Sequence, residues 1–183
     1  MDIILASRSP RRKQLLALCG VDFKVREADI DEVLDASVSR VEAIEKLALH
    51  KAQTIWNHHP EALVIGADTI VLIDDEVLNK PVDNEDAKNM LRKLSGRTHQ
   101  VITGVCLMDK DKVKTFSSVV EVDFCVLDED EIDNYVNSGE PMDKAGAYGI
   151  QGLAAPFISA IRGDYYAVMG LPVSKVYGHL KNW

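Results

Sequence analysis

Short apolar runs and helically spaced apolar residues alternate along the chain, and they predict alternating strands and helices. The run at 63–72 is rich in Val and Ile, which predicts a strand buried on both faces. Apolar residues recur at helical spacing over 38–56, which predicts an amphipathic helix. The same patterns predict further strands at 3–6, 22–25, 77–78, 97–108, 157–161 and within 113–127. They also predict helices after Ser9, from a cap at Asn84 to Leu94, after Asp128 and after Pro172.

The predicted strand at 63–72 carries one carboxylate, Asp68, directly after Gly66 and Ala67. These two small residues leave room for another group to approach the backbone. An unpaired buried carboxylate is costly, so Asp68 needs a partner. One interpretation is a structural residue that caps a turn. The other is a carboxylate held on a rigid strand for a metal ion or a water, and the charged stretches elsewhere in the chain favour it.

Four basic residues crowd the predicted start of the first helix, where Ser9 can act as the N-cap. They are Arg8, Arg11, Arg12 and Lys13. Cations are unfavourable beside the positive end of a helix dipole. The arrangement therefore predicts an anion site built from free N–H groups and guanidinium groups, although a solvated basic turn is the simpler alternative.

Other charged residues occupy positions with less specific patterns. Asp31 and Glu32 lie in an acidic, loop-like stretch, and Lys51 lies within the predicted helix at 38–56. Lys80 follows a short predicted strand that Pro81 ends, and strand ends are common places for chemistry in α/β proteins. The glycine-rich stretch at 140–152 predicts a tight loop that lacks both the P-loop spacing and the dinucleotide-binding spacing.

Composition narrows the class of protein. The chain has 183 residues, 46% of them hydrophobic, which fits one domain or at most two small ones. Its formal net charge of -8 disfavours nucleic acid as a partner. Three cysteines without CxxC spacing, no secretory leader pattern and no apolar run of membrane-spanning length predict a cytoplasmic protein with no membrane partner.

Five sequence blocks together resemble the Maf family of nucleotide pyrophosphatases. They read LASRSPRR at 5–12, GADT at 66–69, LNKP at 78–81, LSGRTH at 94–99 and DKAGAYGIQG at 143–152. The last block is long and unusual, and the five blocks extend over nearly the whole chain. The resemblance implies one Maf/ITPase-like α/β domain over 1–183, with an elongated mixed β-sheet flanked by helices and two lobes around a cleft.

The resemblance also implies hydrolysis of nucleoside triphosphates to the monophosphate and diphosphate with a divalent metal cation, Mg²⁺ or Mn²⁺. Arg11, Thr69 and Gln151 match positions that the family uses for substrate choice, and they indicate the dTTP and UTP branch. CTP and modified pyrimidine nucleotides are further possible substrates in a house-cleaning role. A homodimer and a link to division arrest are also implied. The alternative is a non-catalytic nucleotide-binding regulator of septum formation.

Residues of the matching blocks, together with Glu32 and Lys51 outside the blocks, receive roles under this interpretation. Asp68 is the expected catalytic residue and, with Glu32, the expected metal ligand, although Asp31 is chemically equivalent to Glu32. The expected substrate-binding residues are Ser9, Arg11, Arg12, Lys51, Thr69, Lys80 and Gln151.

Overall fold

The computed structural model describes residues 1–183, and it has seven strands and six α-helices. The strands are β1 (Ile3–Ala6), β2 (Lys24–Arg26), β3 (Leu63–Ile73), β4 (Glu76–Leu78), β5 (Thr98–Met108), β6 (Val113–Phe124) and β7 (Ile158–Arg162). The helices are α1 (Pro10–Ala17), α2 (Arg40–Trp56), α3 (Asn84–Leu94), α4 (Glu129–Asn137), α5 (Tyr165–Met169) and α6 (Val173–Lys181). Three short 3-10 helices cover Glu140–Asp143, Ala145–Ala147 and Ala155–Phe157. No helix is both long enough and apolar enough to cross a membrane.

All seven strands belong to one mixed sheet with the order β2-β1-β3-β5-β6-β7, and β4 pairs with β3. Strand β1 is parallel to both β2 and β3, and its Ala6 is in register with Gly66. Strand β4 is antiparallel to β3, and β7 is antiparallel to β6. Parallel and antiparallel pairs in one sheet that also has helices confirm the predicted α/β class with a mixed sheet.

The chain divides into two compact units that are both discontinuous in sequence. Unit 1 contains 1–69, 103–118 and 170–183, and unit 2 contains 70–102 and 119–169. Strands β3, β5 and β6 therefore each contribute residues to both units.

In unit 1, helix α2 lies very close to the sheet. The Ser39 hydroxyl caps the helix by accepting a hydrogen bond from the Glu42 amide. A methyl group placed on Gly66 of β3 would lie 2.3 Å from the Ala48 carbonyl oxygen, and one on Gly104 of β5 would lie 2.6 Å from the Ile44 carbonyl oxygen. The two glycines therefore allow a close approach that any side chain would block.

In unit 2, a cluster of aromatic rings lies within the apolar core. His99, Phe124 and Tyr148 pack edge to face, with ring centroids 4.8–5.4 Å apart. The imidazole Nε2 of His99 lies 2.7 Å from the Tyr148 hydroxyl. Burial lowers the pKa of His99 to about 4, so this imidazole is uncharged at neutral pH.

Most of the predicted elements are confirmed, and their boundaries differ by a few residues. The cap of α3 is Asp83, whose carboxylate accepts from the Asp86 amide, so the prediction of Asn84 as the cap was wrong by one residue. The short helix α5 was not predicted.

Two apolar residues expected to face the core are instead exposed. Leu18, the C-cap of α1, is 62% exposed, and Tyr177 on α6 is 47% exposed. All three cysteines are free, as the sequence predicts, with Cys19 and Cys106 buried and Cys125 exposed.

The close approach of α2 can be tested with Gly66→Ala and Gly104→Ala. Each added methyl group would force α2 away from the sheet, and we expect each change to lower the free energy of unfolding by about 1–3 kcal/mol. The matched control is Gly178→Ala in α6, where a methyl group meets nothing within 4 Å. We expect this change to stabilise the protein by about 0.5–1 kcal/mol through helix propensity. Urea unfolding measures all three, and wild-type stability of both strand variants would contradict the packing argument.

Candidate active site

A buried ion pair between Asp68 and Lys51 lies at the centre of the candidate site in unit 1. Asp68 lies on β3 two residues after Gly66, and Lys51 lies on α2 between Ala48 and Ala52, which contact the same glycine position. The Lys51 ammonium donates to an Asp68 carboxylate oxygen over 2.7 Å. Asp68 is 9% exposed and Lys51 is 6% exposed, so the carboxylate has the partner that its burial requires.

Glu32 supplies a second carboxylate on the same ammonium. It lies between β2 and α2, and one carboxylate oxygen accepts from Lys51 over 2.6 Å. The side chain of Glu32 is 48% exposed, unlike that of Asp68. Of the two acidic neighbours in the sequence, Glu32 rather than Asp31 has the contact with Lys51. The structure therefore brings the two predicted metal ligands together on either side of a lysine.

Arg12 of α1 is buried, and its guanidinium donates three hydrogen bonds to groups from different parts of unit 1. Nε donates to the Gly170 carbonyl oxygen over 2.8 Å, and Nη2 donates to the Thr69 hydroxyl over 2.9 Å. Nη1 donates to the Ser7 hydroxyl over 3.4 Å. These bonds fix the plane of the guanidinium within the site.

The charge of Arg12 is balanced by the same two carboxylates. Burial lowers the pKa of Arg12, and the negative charges of Asp68 and Glu32 oppose this shift. The nearby Arg11 adds to the lowering. Arg12 stays protonated because a guanidinium does not lose its proton in proteins. The site therefore combines buried charges of both signs.

The predicted basic cluster at the start of α1 is not uniform. Arg8 and Lys13 are exposed, Arg11 is half-buried and Arg12 is buried. The Ser9 hydroxyl caps the helix and accepts from the Arg12 amide over 3.4 Å, as its sequence position predicts. Only part of the cluster therefore lies within the site.

The sequence interpretation did not assign three groups that hold Arg12 or its partners. Ser7 and the carbonyl of Gly170 accept from Arg12, and the Thr103 hydroxyl lies 2.8 Å from that of Thr69. Ser7 lies in the same matching block as Arg12, at 5–12, so its closeness in sequence could have indicated that it contacts Arg12. Gly170 has φ +118, which favours glycine, but its bond uses only the backbone. Thr103 resembles any polar residue in a strand, so no sequence signal marks it.

Lys80 and Gln151 lie in unit 2, apart in sequence from the groups described above. Lys80 is exposed just after β4. Gln151 is exposed in a turn that is fixed at both ends. The Gly149 amide donates to the Tyr135 hydroxyl over 3.3 Å, and the Leu153 amide donates to the Glu140 carboxylate over 3.0 Å.

Comparison with known proteins shows the family of the chain. The sequence profile described as Maf-like protein matches residues 2–183, and the chain belongs to this family. A protein of Bacillus cytotoxicus named dTTP/UTP pyrophosphatase is 49% identical over 180 residues, which are 98% of this chain and 94% of that protein. A protein of Bacillus cereus with the same name is 48% identical over 181 residues, which are 99% and 95% of the two chains.

Solved structures of more distant proteins share the fold. The Staphylococcus aureus Ham1 protein aligns over 100% of this chain and 99% of its own, with a TM-score of 0.58 and 14% identity. A HAM1 protein from Coxiella burnetii aligns over 100% of both chains, with a TM-score of 0.55 and 14% identity. These similarities confirm the α/β fold with a mixed sheet that the sequence resemblance implies.

The ion pair of Lys51 can be tested with Lys51→Met. This change leaves the Asp68 carboxylate buried without its cation, and we expect it to lower the free energy of unfolding by roughly 3 kcal/mol. The matched control on the same helix is Lys46→Met, which removes exposed ion pairs to Asp35 and Glu42 and should have a much smaller effect, because solvent screens exposed pairs. Adding Asp68→Asn to Lys51→Met should recover part of the loss. Equal stability losses for the two lysine variants would contradict the assignment of a buried pair.

Proposed function

We propose that the protein hydrolyses dTTP and UTP to the nucleoside monophosphate and diphosphate. The observation that carries this proposal is the buried group of Asp68, Lys51 and Arg12 beside Glu32, in a chain whose relatives are named dTTP/UTP pyrophosphatase. Those names also favour an enzyme over a non-catalytic nucleotide-binding regulator. The cytoplasmic location and the homodimer expected from the sequence stay predictions.

The cations of the site suit a triphosphate. A guanidinium has five N–H donors, and three of those of Arg12 are used within the protein, which leaves two for phosphate oxygens. An ammonium has three donors, and the two carboxylates take two of those of Lys51. In this proposal Ser9, Arg11 and Lys80 provide further contacts to the substrate.

The carboxylates suit a hard divalent cation. Mg²⁺ is usually bound through one or two carboxylates together with water and substrate phosphates. Asp68 and Glu32 match this pattern, and no group of three or more His, Cys, Asp or Glu side chains in the structure is arranged to hold a metal alone. We therefore propose Asp68 and Glu32 as ligands of Mg²⁺ or Mn²⁺, which when bound lowers the pKa of a coordinated water.

Asp68 is proposed as the acceptor of the proton from the attacking water. Its position on a buried strand fixes the carboxylate, because strand β3 pairs with β1 on one side and Lys51 holds one oxygen. Water would attack the α-phosphorus while diphosphate leaves, and Arg12 and Lys51 would bind the phosphate oxygens throughout. The side chains provide positioning, charge balance and one proton acceptor.

The test of this function measures diphosphate release from dTTP and UTP with Mg²⁺ or Mn²⁺, in wild type and in Asp68→Asn. The amide keeps the shape of the carboxylate and removes its charge and basicity, so we expect a loss of at least ~100-fold in kcat. The matched control is Asp35→Asn, an exposed carboxylate, which should keep wild-type turnover. Excess EDTA should stop release, and Mg²⁺ should restore it. Wild-type turnover by folded Asp68→Asn, or full turnover in EDTA, would contradict the mechanism.

Selection of the base is proposed for Gln151, Thr69 and Arg11, and Gln151 offers the sharpest test. Its exposed amide has both donors and acceptors that match the carbonyl and N–H groups of uracil and thymine. In Gln151→Ala we expect kcat/KM for dTTP and UTP to fall relative to that for CTP and a purine triphosphate. The corresponding loss in the free energy of discrimination should be on the order of 1 kcal/mol or more. Gln53→Ala, an exposed change on α2, is the control. An equal fall in kcat/KM for all four nucleotides would mean that Gln151 supports the turn and does not select the base.

A further inference from the structure

Thr103 is a fully buried polar residue next to the candidate site. It lies on β5 at 0% exposure, between the buried apolar residues Ile102 and Val105, with Gly104 alongside. A buried hydroxyl is costly unless it is hydrogen-bonded, and a valine would have nearly the same shape without this cost. The Thr103 hydroxyl lies 2.8 Å from that of Thr69, and this bond helps to compensate its burial.

The bond between the two threonines limits the orientation of the Thr69 hydroxyl. The Arg12 guanidinium has no acceptor, so the Thr69 oxygen must accept from Nη2 over 2.9 Å. The single Thr69 hydrogen then lies away from Arg12. When Thr69 donates this hydrogen to Thr103, its oxygen becomes a stronger acceptor for the charged guanidinium. When Thr103 donates instead, it still fixes the position of the Thr69 oxygen.

The remaining contacts of Arg12 make it sensitive to this partner. The Gly170 carbonyl holds Nε over 2.8 Å, whereas the Ser7 hydroxyl is at the longer distance of 3.4 Å from Nη1. Both hydroxyls contact Nη nitrogens of the guanidinium, and the contact with Thr69 is the shorter of the two. Loss of its orientation would leave the Nη nitrogens with only the longer contact to Ser7, so the guanidinium would be less firmly held.

We propose that Thr103 is a positioning residue, which acts through the Thr69 hydroxyl to hold the Arg12 guanidinium in the geometry that binds the substrate phosphates. This proposal rests on the proposed function for the role of Arg12, and it adds a residue of β5 to the site. A misplacement of about 1 Å at such a group can cost up to about 100-fold in rate. Thr103 itself is not proposed to touch the substrate.

The kinetic experiment compares Thr103→Val and Thr103→Ser, each in wild type and in the Arg12→Ala background. We expect Thr103→Val to raise KM for dTTP about tenfold with a smaller change in kcat, and Thr103→Ser to stay within about twofold of wild type because it keeps the hydroxyl. In the Arg12→Ala background, Thr103→Val should change KM by less than about twofold, since its effect passes through Arg12. The control Ser118→Ala removes a buried hydroxyl that has no hydrogen-bond partner and should leave KM unchanged.

Two kinetic results would overturn the proposal. One is an equal effect of Thr103→Val with and without Arg12, and the other is a loss in Thr103→Ser as large as in Thr103→Val. Either result would mean that Thr103 only packs in the core and does not position Arg12. If Thr103→Val does not fold, Thr103→Ala takes its place in the same comparison.

A second measurement does not depend on catalysis. The Arg12 Nη2–H that donates to Thr69 should give an NMR resonance that is protected from exchange, identified by its absence in Arg12→Ala. We expect Thr103→Val to increase its exchange rate at least about tenfold, with Thr103→Ser unchanged. Unchanged exchange in Thr103→Val would overturn the proposal. If wild type releases no diphosphate, the proposed function fails, and this measurement still decides whether Thr103 positions Arg12.

Discussion

The close contact between α2 and the sheet is the constraint on which the rest of unit 1 depends. It exists because Gly66 and Gly104 have no side chains where the backbone of α2 passes. The same contact brings Lys51 within 2.7 Å of Asp68, so packing of the helix and assembly of the charged group are one event. A helix held further away by ordinary strand residues would leave both charges buried without partners.

The charged groups of unit 1 are stable inside the protein because they compensate one another. Lys51 and Arg12 bring two positive charges, and Asp68 and Glu32 bring two negative charges, so the group is neutral as a whole. A buried pair of this kind contributes little net stability compared with apolar residues of the same volume. The buried pair between α2 and β3 is therefore better explained by the binding of an anionic ligand than by a contribution to folding stability.

The sequence predicted most of the elements where local patterns determine them, and it singled out Asp68, Lys51 and Arg12, which the structure places together. The buried run around Asp68 and the N-cap at Ser9 are local features, and the five blocks place both in a known family. Exposure of Leu18 and Tyr177 was not predictable, because it depends on where the helix ends and on which neighbours cover it. The contact between Thr103 and Thr69 joins residues 34 apart, and the bond from Arg12 to Gly170 joins residues 158 apart. Only tertiary packing determines such pairs.

The carbonyl of Gly170 has a consequence for biosynthesis. A ribosome makes a chain from its N-terminal side onward, and domains generally fold as units as they emerge. Unit 1 is interrupted twice by unit 2, and its last segment, 170–183, is made after all of unit 2. The Arg12 guanidinium therefore waits for its Nε acceptor until residue 170 has been made. A chain that stops before residue 170 keeps this arginine without a full set of partners, so the site is completed only after the last segment of unit 1 has been made.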